Sequence, residues 1–231
     1  MPDRAASAQP HSLPRVVAIG FNKCGTRSLA ELFRAADHPT VHHKIREGRP
    51  VPRRIGRVMR ENLAAGRKVF ASAEDFTFYC DLIYSDGTVT WEGATAFREI
   101  LRDYPDTILL LNFRDREGWI ASRLKHGHGE FAKRELAARG LTDLEVLKDQ
   151  WRAEWDAHLA DVRAYMADKP DQYVEFDLDN DSADDLAARL PTYGLDAAHL
   201  QDIGRTRGKK MHPLKRLAKK LNAHLRPRFF R

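Results

Sequence analysis

Short apolar runs that read as strands alternate with helix-period stretches along most of this 231-residue chain, and that rhythm leaves few folds open. Residues 16–19 form a buried strand pattern ending at Gly20. A helix is predicted over 26–36, with Leu29, Leu32 and Phe33 on one face. A brief strand is expected over 40–42, and a helix over 55–65 closed by Gly66. A third strand is expected over 68–73, a helix over 91–103, and the strongest core strand over 107–112. A helix over 116–125 has Asp115 placed as its N-cap. The longest helix, 144–166, carries Leu147, Trp151, Trp155, Leu159 and Val162 at spacings of three and four, the stripe of a helix facing a core. A last strand falls at 173–176. Strand–helix alternation of this kind implies an α/β fold: three layers, with a mostly parallel central sheet flanked by helices. Ligands of such sheets bind at the C-terminal strand ends, where loops enter helices.

Length and charge narrow the organisation. The chain suits one domain, expected over 15–204, after a Pro/Ser/Ala-rich segment, 1–14, expected to be disordered. Residues 205–231 hold 11 Lys and Arg and no acid, which leaves 28 basic against 33 acidic residues in the first 204. The body is therefore mildly acidic and the tail, 205–231, strongly basic. Specific nucleic-acid binding by the body is not expected, because its net charge has the wrong sign. No apolar run approaches the roughly 20 residues of a spanning helix, and the first residues lack the apolar stretch of a secretory signal. Two cysteines, Cys24 and Cys80, read as reduced thiols of a cytoplasmic protein.

The loop after the first strand, Gly20-Phe-Asn-Lys23-Cys24-Gly25-Thr26-Arg27-Ser28, has the composition of an oxyanion cradle. Two glycines permit a tight turn, and the helix N-terminus offers free N–H groups and partial positive charge. Lys23, Thr26, Arg27 and Ser28 add side-chain donors. The loop is P-loop-like but departs from G-x-x-x-x-G-K-[ST]: Thr26 and Arg27 follow Gly25, and the lysine has moved forward. Arginine in the slot of the Mg²⁺-holding hydroxyl suits an anion neutralised without a metal. Cys24 reads as a small residue fitting the loop, with a reactive low-pKa thiol as the alternative.

K-x-G-T-x-S at the end of a first strand resembles the 5′-phosphosulfate loop of sulfotransferases that use 3′-phosphoadenosine 5′-phosphosulfate (PAPS). A second anion signal agrees with it. Arg114 runs off the core strand and Ser122 lies eight residues on, inside the following helix. In the family so resembled, an arginine and a serine at this spacing bind the 3′-phosphate of PAPS. The resemblance spans residues 15–125 and implies sulfuryl transfer from PAPS to an acceptor hydroxyl or amine of a glycan or small molecule. It also implies a basic, Gly-containing segment that closes the nucleotide site near the C-terminus, for which Arg207, Gly208 and Lys209 are the candidates. Cofactor contacts are thus expected from Lys23, Cys24, Gly25, Thr26, Arg27, Ser28, Arg114 and Ser122 as well.

The acceptor requires a base, worth roughly 10²–10⁴ in rate. Glu74 and Asp75, placed directly after the expected third strand, are the first candidates, and His42 with His43 the second. His126 and His128 have a ligand-like spacing but no third partner, so no metal is expected. A P-loop nucleotide kinase or phosphotransferase is the competing enzyme class, but it requires a lysine after Gly25. A non-enzymatic binder of anionic polymers is the other alternative. In the tail, Leu214, Leu217, Ala218, Leu221 and Leu225 form an apolar stripe flanked by lysines and arginines. Such a helix suits a peripheral membrane contact, an anionic acceptor, or docking on the acidic body.

Overall fold

The computed structural model describes residues 13–45 and 51–200. In chain order the elements are β1 (Val16–Ala18), α1 (Thr26–Ala35), β2 (Thr40–His42), β3 (Lys44–Ile45), β4 (Arg53–Arg54) and α2 (Ile55–Ala64). Then come β5 (Phe78–Cys80), β6 (Ile83–Ser85), β7 (Thr90–Glu92), α3 (Phe97–Asp103), β8 (Ile108–Phe113) and α4 (Arg116–Lys125). α5 (Glu130–Arg139), α6 (Leu144–Met166), β9 (Tyr173–Asp177) and α7 (Ala183–Arg189) complete the series, with short 3₁₀ turns between.

The main sheet runs β4-β3-β2-β5-β1-β8-β9. Its five central strands are parallel, and β3 and β4 add an antiparallel edge. Alternation along the strands divides the core in two. Val17, Ile19, Tyr79, Leu109 and Leu111 face a layer built from α2 to α6. Val16, Ala18, Phe78, Cys80 and Leu110 face α1 and the residues around α7. The result is the expected three-layer α/β arrangement. The α6 stripe is buried as its spacing requires: Trp151 is fully covered and Trp155 nearly so.

This topology fixes where a ligand can sit. β1 and β8 are neighbours, but their following helices cover opposite faces of the sheet. The loops after them therefore diverge at the C-terminal ends of the strands, the switch point at which open α/β sheets place a ligand crevice.

One expectation fails. Residues 68–73 are turns and not a strand; the strand is β5, further on. The Lys68–Ala73 run is apolar enough for a short strand, yet its backbone is claimed by side chains. Asn62 donates to the carbonyls of Val69 and Ala71 at 3.2 and 2.9 Å, and Asp103 accepts from the Val69 N–H at 2.8 Å. The helix expected from residue 91 begins at Phe97, because Trp91 pairs with Tyr84 in the β6–β7 hairpin.

Candidate active site

The β1–α1 loop is clamped from both sides. Gly20 must be glycine, since a Cβ there would stand 1.7 Å from the Asn112 carbonyl oxygen. Asn112, fully buried on β8, accepts from the Gly20 N–H at 2.9 Å and donates to the Cys24 carbonyl at 2.5 Å. Trp119 of α4 donates to the Asn22 carbonyl at 2.9 Å. Phe21 stacks between Trp119 and His158, at 5.5 and 4.6 Å between ring centroids. Lys23 and Gly25 both take left-handed backbone conformations, φ 75° and 71°. Gly25 is the residue before α1, so the helix opens directly on the crevice with its first N–H groups.

Several charged side chains converge on that mouth. Lys23 is half-buried; burial lowers its pKa, Asp81 opposes that shift, and Arg27 and Arg114 reinforce it. The charges of the two anion-type motifs therefore share one electrostatic environment. Arg114 is half-buried and its Nε is buried without a hydrogen-bond partner. Its guanidinium lies over α4, about where Gly118 presents no side chain: a Cβ there would meet Nη2 and Nε at 3.6 and 3.7 Å. Ser122 sits one turn further along that face, half-buried. Asp115 caps α4 by accepting from the Gly118 N–H at 2.6 Å. Asp179, after β9, accepts from the Asp115 N–H at 2.7 Å and lies 3.5 Å from Arg114. Thr26 and Ser28 are buried at the helix start, and Thr26 Oγ1 lies 3.3 Å from His42 Nε2. Cys24 is fully covered, and burial pushes its thiol pKa up, which removes the reactive-thiol alternative.

The structure separates the carboxylates that the sequence placed together with the loop. Glu74 and Asp75 precede β5 and lie at the N-terminal end of the sheet. There Glu74 accepts from the Tyr104 hydroxyl at 2.6 Å, and its carbonyl accepts from Arg15 at 3.3 Å. The misassigned strand is the cause: residues following β5, and not those preceding it, reach the crevice.

Asp81 is that residue, and sequence reasoning gave it no role. Its Oδ2 lies 3.6 Å from both His42 Nε2 and His43 Nδ1. Burial pushes its pKa up to about 6; the Glu92 carboxylate adds to the rise, and Lys23, Arg27 and Arg123 oppose it. Burial pulls both histidines down to about 4, with neighbouring cations adding to the effect. At neutral pH the rings are uncharged and Asp81 is a carboxylate of raised basicity. Asp81 and His43 hold left-handed conformations, φ 57° and 59°, so three non-glycine residues of this kind, with Lys23, meet at one site. His126 also feels Lys23, Arg134 and His43, after burial as the main cause of a pKa near 4. Among the described residues no three His, Cys, Asp or Glu side chains form a metal-holding group. Arg207, Gly208, Lys209 and the tail helix lie outside the described residues. Among those described, no helix is long and apolar enough to cross a membrane.

The structure is thus a three-layer α/β fold with a glycine-framed cationic loop at the switch point of its sheet. The family model for the sulfotransferase domain matches residues 15–141, more than half of the chain, and the protein belongs to that family. The matched span contains the loop, Asp81, Arg114 and Ser122. A search of curated proteins gives no match.

Proposed function

We propose that the protein transfers a sulfuryl group from PAPS to a hydroxyl or amine of a glycan or small-molecule acceptor. The observation that supports the reading is that the two anion motifs follow neighbouring strands, with Asn112 of β8 bonded to the β1–α1 loop at Gly20 and Cys24 and with Arg114 close enough to act on the Lys23 charge. The donor set fits the nucleotide: an open helix N-terminus with Lys23 and Arg27 for the phosphosulfate, and a guanidinium with an orphaned buried Nε, beside Gly118 and Ser122, for a 3′-phosphate. PAPS supplies the activated sulfuryl group.

The residues divide the work. Lys23 and the first N–H groups of α1 stabilise the charge that grows on the leaving phosphate oxygen, a preorganised electrostatic effect. Arg114 and Ser122 fix the nucleotide's far end, converting loose encounter into defined orientation. Asp81, and not Glu74 or Asp75, accepts the acceptor's proton as the new O–S or N–S bond forms. His42 and His43 hold that carboxylate, and Thr26 places His42 next to the loop. An expected base of raised pKa suits reaction near neutrality.

Thermal-shift titration with 3′,5′-adenosine diphosphate, 5′-AMP and ATP with Mg²⁺ tests the donor assignment. Stabilisation by the 3′,5′-diphosphate well beyond 5′-AMP is expected. Stabilisation by ATP with Mg²⁺ alone would replace the reading with a phosphotransferase. Mass spectrometry of candidate acceptors incubated with PAPS then looks for the mass of one added SO₃.

A further inference from the structure

Many arginines of this protein close ion pairs with acids, as do Arg57 with Glu61, Arg98 with Asp161, Arg152 with Glu117, Arg163 with Glu175 and Arg189 with Asp181, while those without such a pair include Arg27, Arg34, Arg60 and Arg67, whose exposed side chains water solvates. Arg54 and Arg134 have no carboxylate in ion-pair range among the described residues, although both are half-buried.

They approach one strand end from two elements. Arg54, on β4, donates to the Ser85 carbonyl at 2.8 Å and lies 5.8 Å over the Tyr84 ring. Arg134, on α5, passes its Cγ 3.7 Å from where a Cβ on Gly87 would stand, and its Nε is buried without a partner. The nearby acids are committed elsewhere. Asp86 accepts from the Tyr84 hydroxyl at 2.7 Å and from Thr88 and Val89 in its own turn. Glu135 is fully buried and held by Ser85, Thr90 and Arg139. Both arginines, with Lys44, lower the proton affinity of His43 after burial as its main cause, so their charge reaches the Asp81–histidine cluster. Half-burying cations with no anion beside them is costly, and a ligand anion offsets that cost.

We propose that Arg54 and Arg134 form an anion subsite for the acceptor: the accepting molecule carries a carboxylate, sulfate or phosphate near the hydroxyl or amine to be sulfated. The proposal rests on the sulfuryl-transfer reading, in which Lys23, Arg27 and Arg114 serve the donor and leave this pair for the second substrate.

The test uses the full chain saturated with 3′,5′-adenosine diphosphate, titrated calorimetrically with phenyl β-glucuronide and with phenyl β-glucoside, which lacks the charge. Phenyl sulfate and phenyl phosphate distinguish the anionic groups. At least one anionic probe is expected to bind about tenfold more tightly than the glucoside, the size of one charge-assisted contact. Arg54→Gln/Arg134→Gln is expected to abolish that preference while nucleotide affinity stays within about twofold. Arg134→Lys, which retains charge without the fork, is expected to restore part of it. Equal binding of the charged and neutral probes overturns the subsite, as does a preference that survives the double substitution. If the nucleotide itself fails to bind, the donor assignment falls, and the same comparison on nucleotide-free protein still decides the subsite.

Discussion

Lys23 holds a left-handed backbone that costs a non-glycine residue on the order of 1–3 kcal/mol, and it does so at φ 75° where its ammonium faces the crevice charges. Strain kept at such a point is explained by what the side chain does. Lys23→Ala is expected to lower kcat by ~10²–10³, as loss of a single preorganised donor does, with Tm unchanged or raised. A loss under about fivefold would remove Lys23 from the chemistry. Asp81 gives a prediction with a pH signature. The rate is expected to rise through about pH 6 as its carboxyl ionises, and Asp81→Asn to abolish both that limb and most of the activity. Asparagine tolerates the left-handed conformation as well as aspartate, so the substitution isolates the charge. Stability moves the other way. The folded protein holds Asp81's proton up to about pH 6, whereas the ordinary carboxyl value is 3.8. Stability contributed by that proton falls as pH rises between those values. Asp81→Asn is therefore expected to be more stable than the parent at pH 7.5 and nearly level with it at pH 4, in denaturant melts at each pH.

Elements explain which of these residues could be read in advance. α4 and α6 were legible to the residue, because Asp115 has an N-cap's chemistry and the Trp151–Trp155 stripe has a helix's period. β1, β8 and the loop between β1 and α1 were equally plain, since apolar runs ending in glycine or arginine have few other readings. The strand beside β1 was not. The apolar run at 68–73 and Phe78–Cys80 both suit a short buried strand, and local pattern cannot rank them. Asn62 at the end of α2 and Asp103, far along the chain on α3, settle it by taking the first run's backbone bonds. That one slip placed Glu74 and Asp75, instead of Asp81, at the C-terminal end of the strand. The β3–β4 and β6–β7 hairpins, two or three residues per strand, carry too few residues for a period, so Arg54 could not be placed. At this scale Asn112 is the critical joint, because it ties β8 to the loop at both ends. Asn112→Leu keeps the volume but leaves the Gly20 N–H and the Cys24 carbonyl unpaired in the core. A loss of roughly 2–4 kcal/mol is expected by chemical denaturation, together with loss of 3′,5′-adenosine diphosphate binding under native conditions. Retention of full nucleotide affinity would show that the loop is held without it.

The molecule as a whole keeps its crevice in shape through a charged network buried behind it. Arg123 of α4 is fully covered and lies 4.7 to 4.8 Å from the rings of Trp119, Phe131 and Trp151, from three different helices. It pairs at 2.6 Å with Glu92 of β7, a carboxylate whose pKa burial raises and Arg123 holds down. Next to it Glu135 of α5 pairs with Arg139, which also reaches Glu154 of α6. Hairpin, α4 and α5 are thus joined by largely buried charges, and the partly exposed Glu154 extends the network to α6, on the layer that carries Trp119 to the loop. Pairs of this kind add little net stability relative to an apolar core, but removing one partner strands the other. Arg123→Met is accordingly expected to cost about 3–5 kcal/mol, whereas Arg123→Met/Glu92→Gln recovers at least half of that loss. Because the stranded carboxylate escapes its cost by taking up a proton, the deficit of the single variant is expected to shrink between pH 7.5 and pH 5.5, and that of the double variant to stay constant. Urea midpoints at the two pH values measure both differences. A single variant that loses under 1 kcal/mol, or whose loss is the same at both pH values, would mean that the aromatic rings alone hold these helices together.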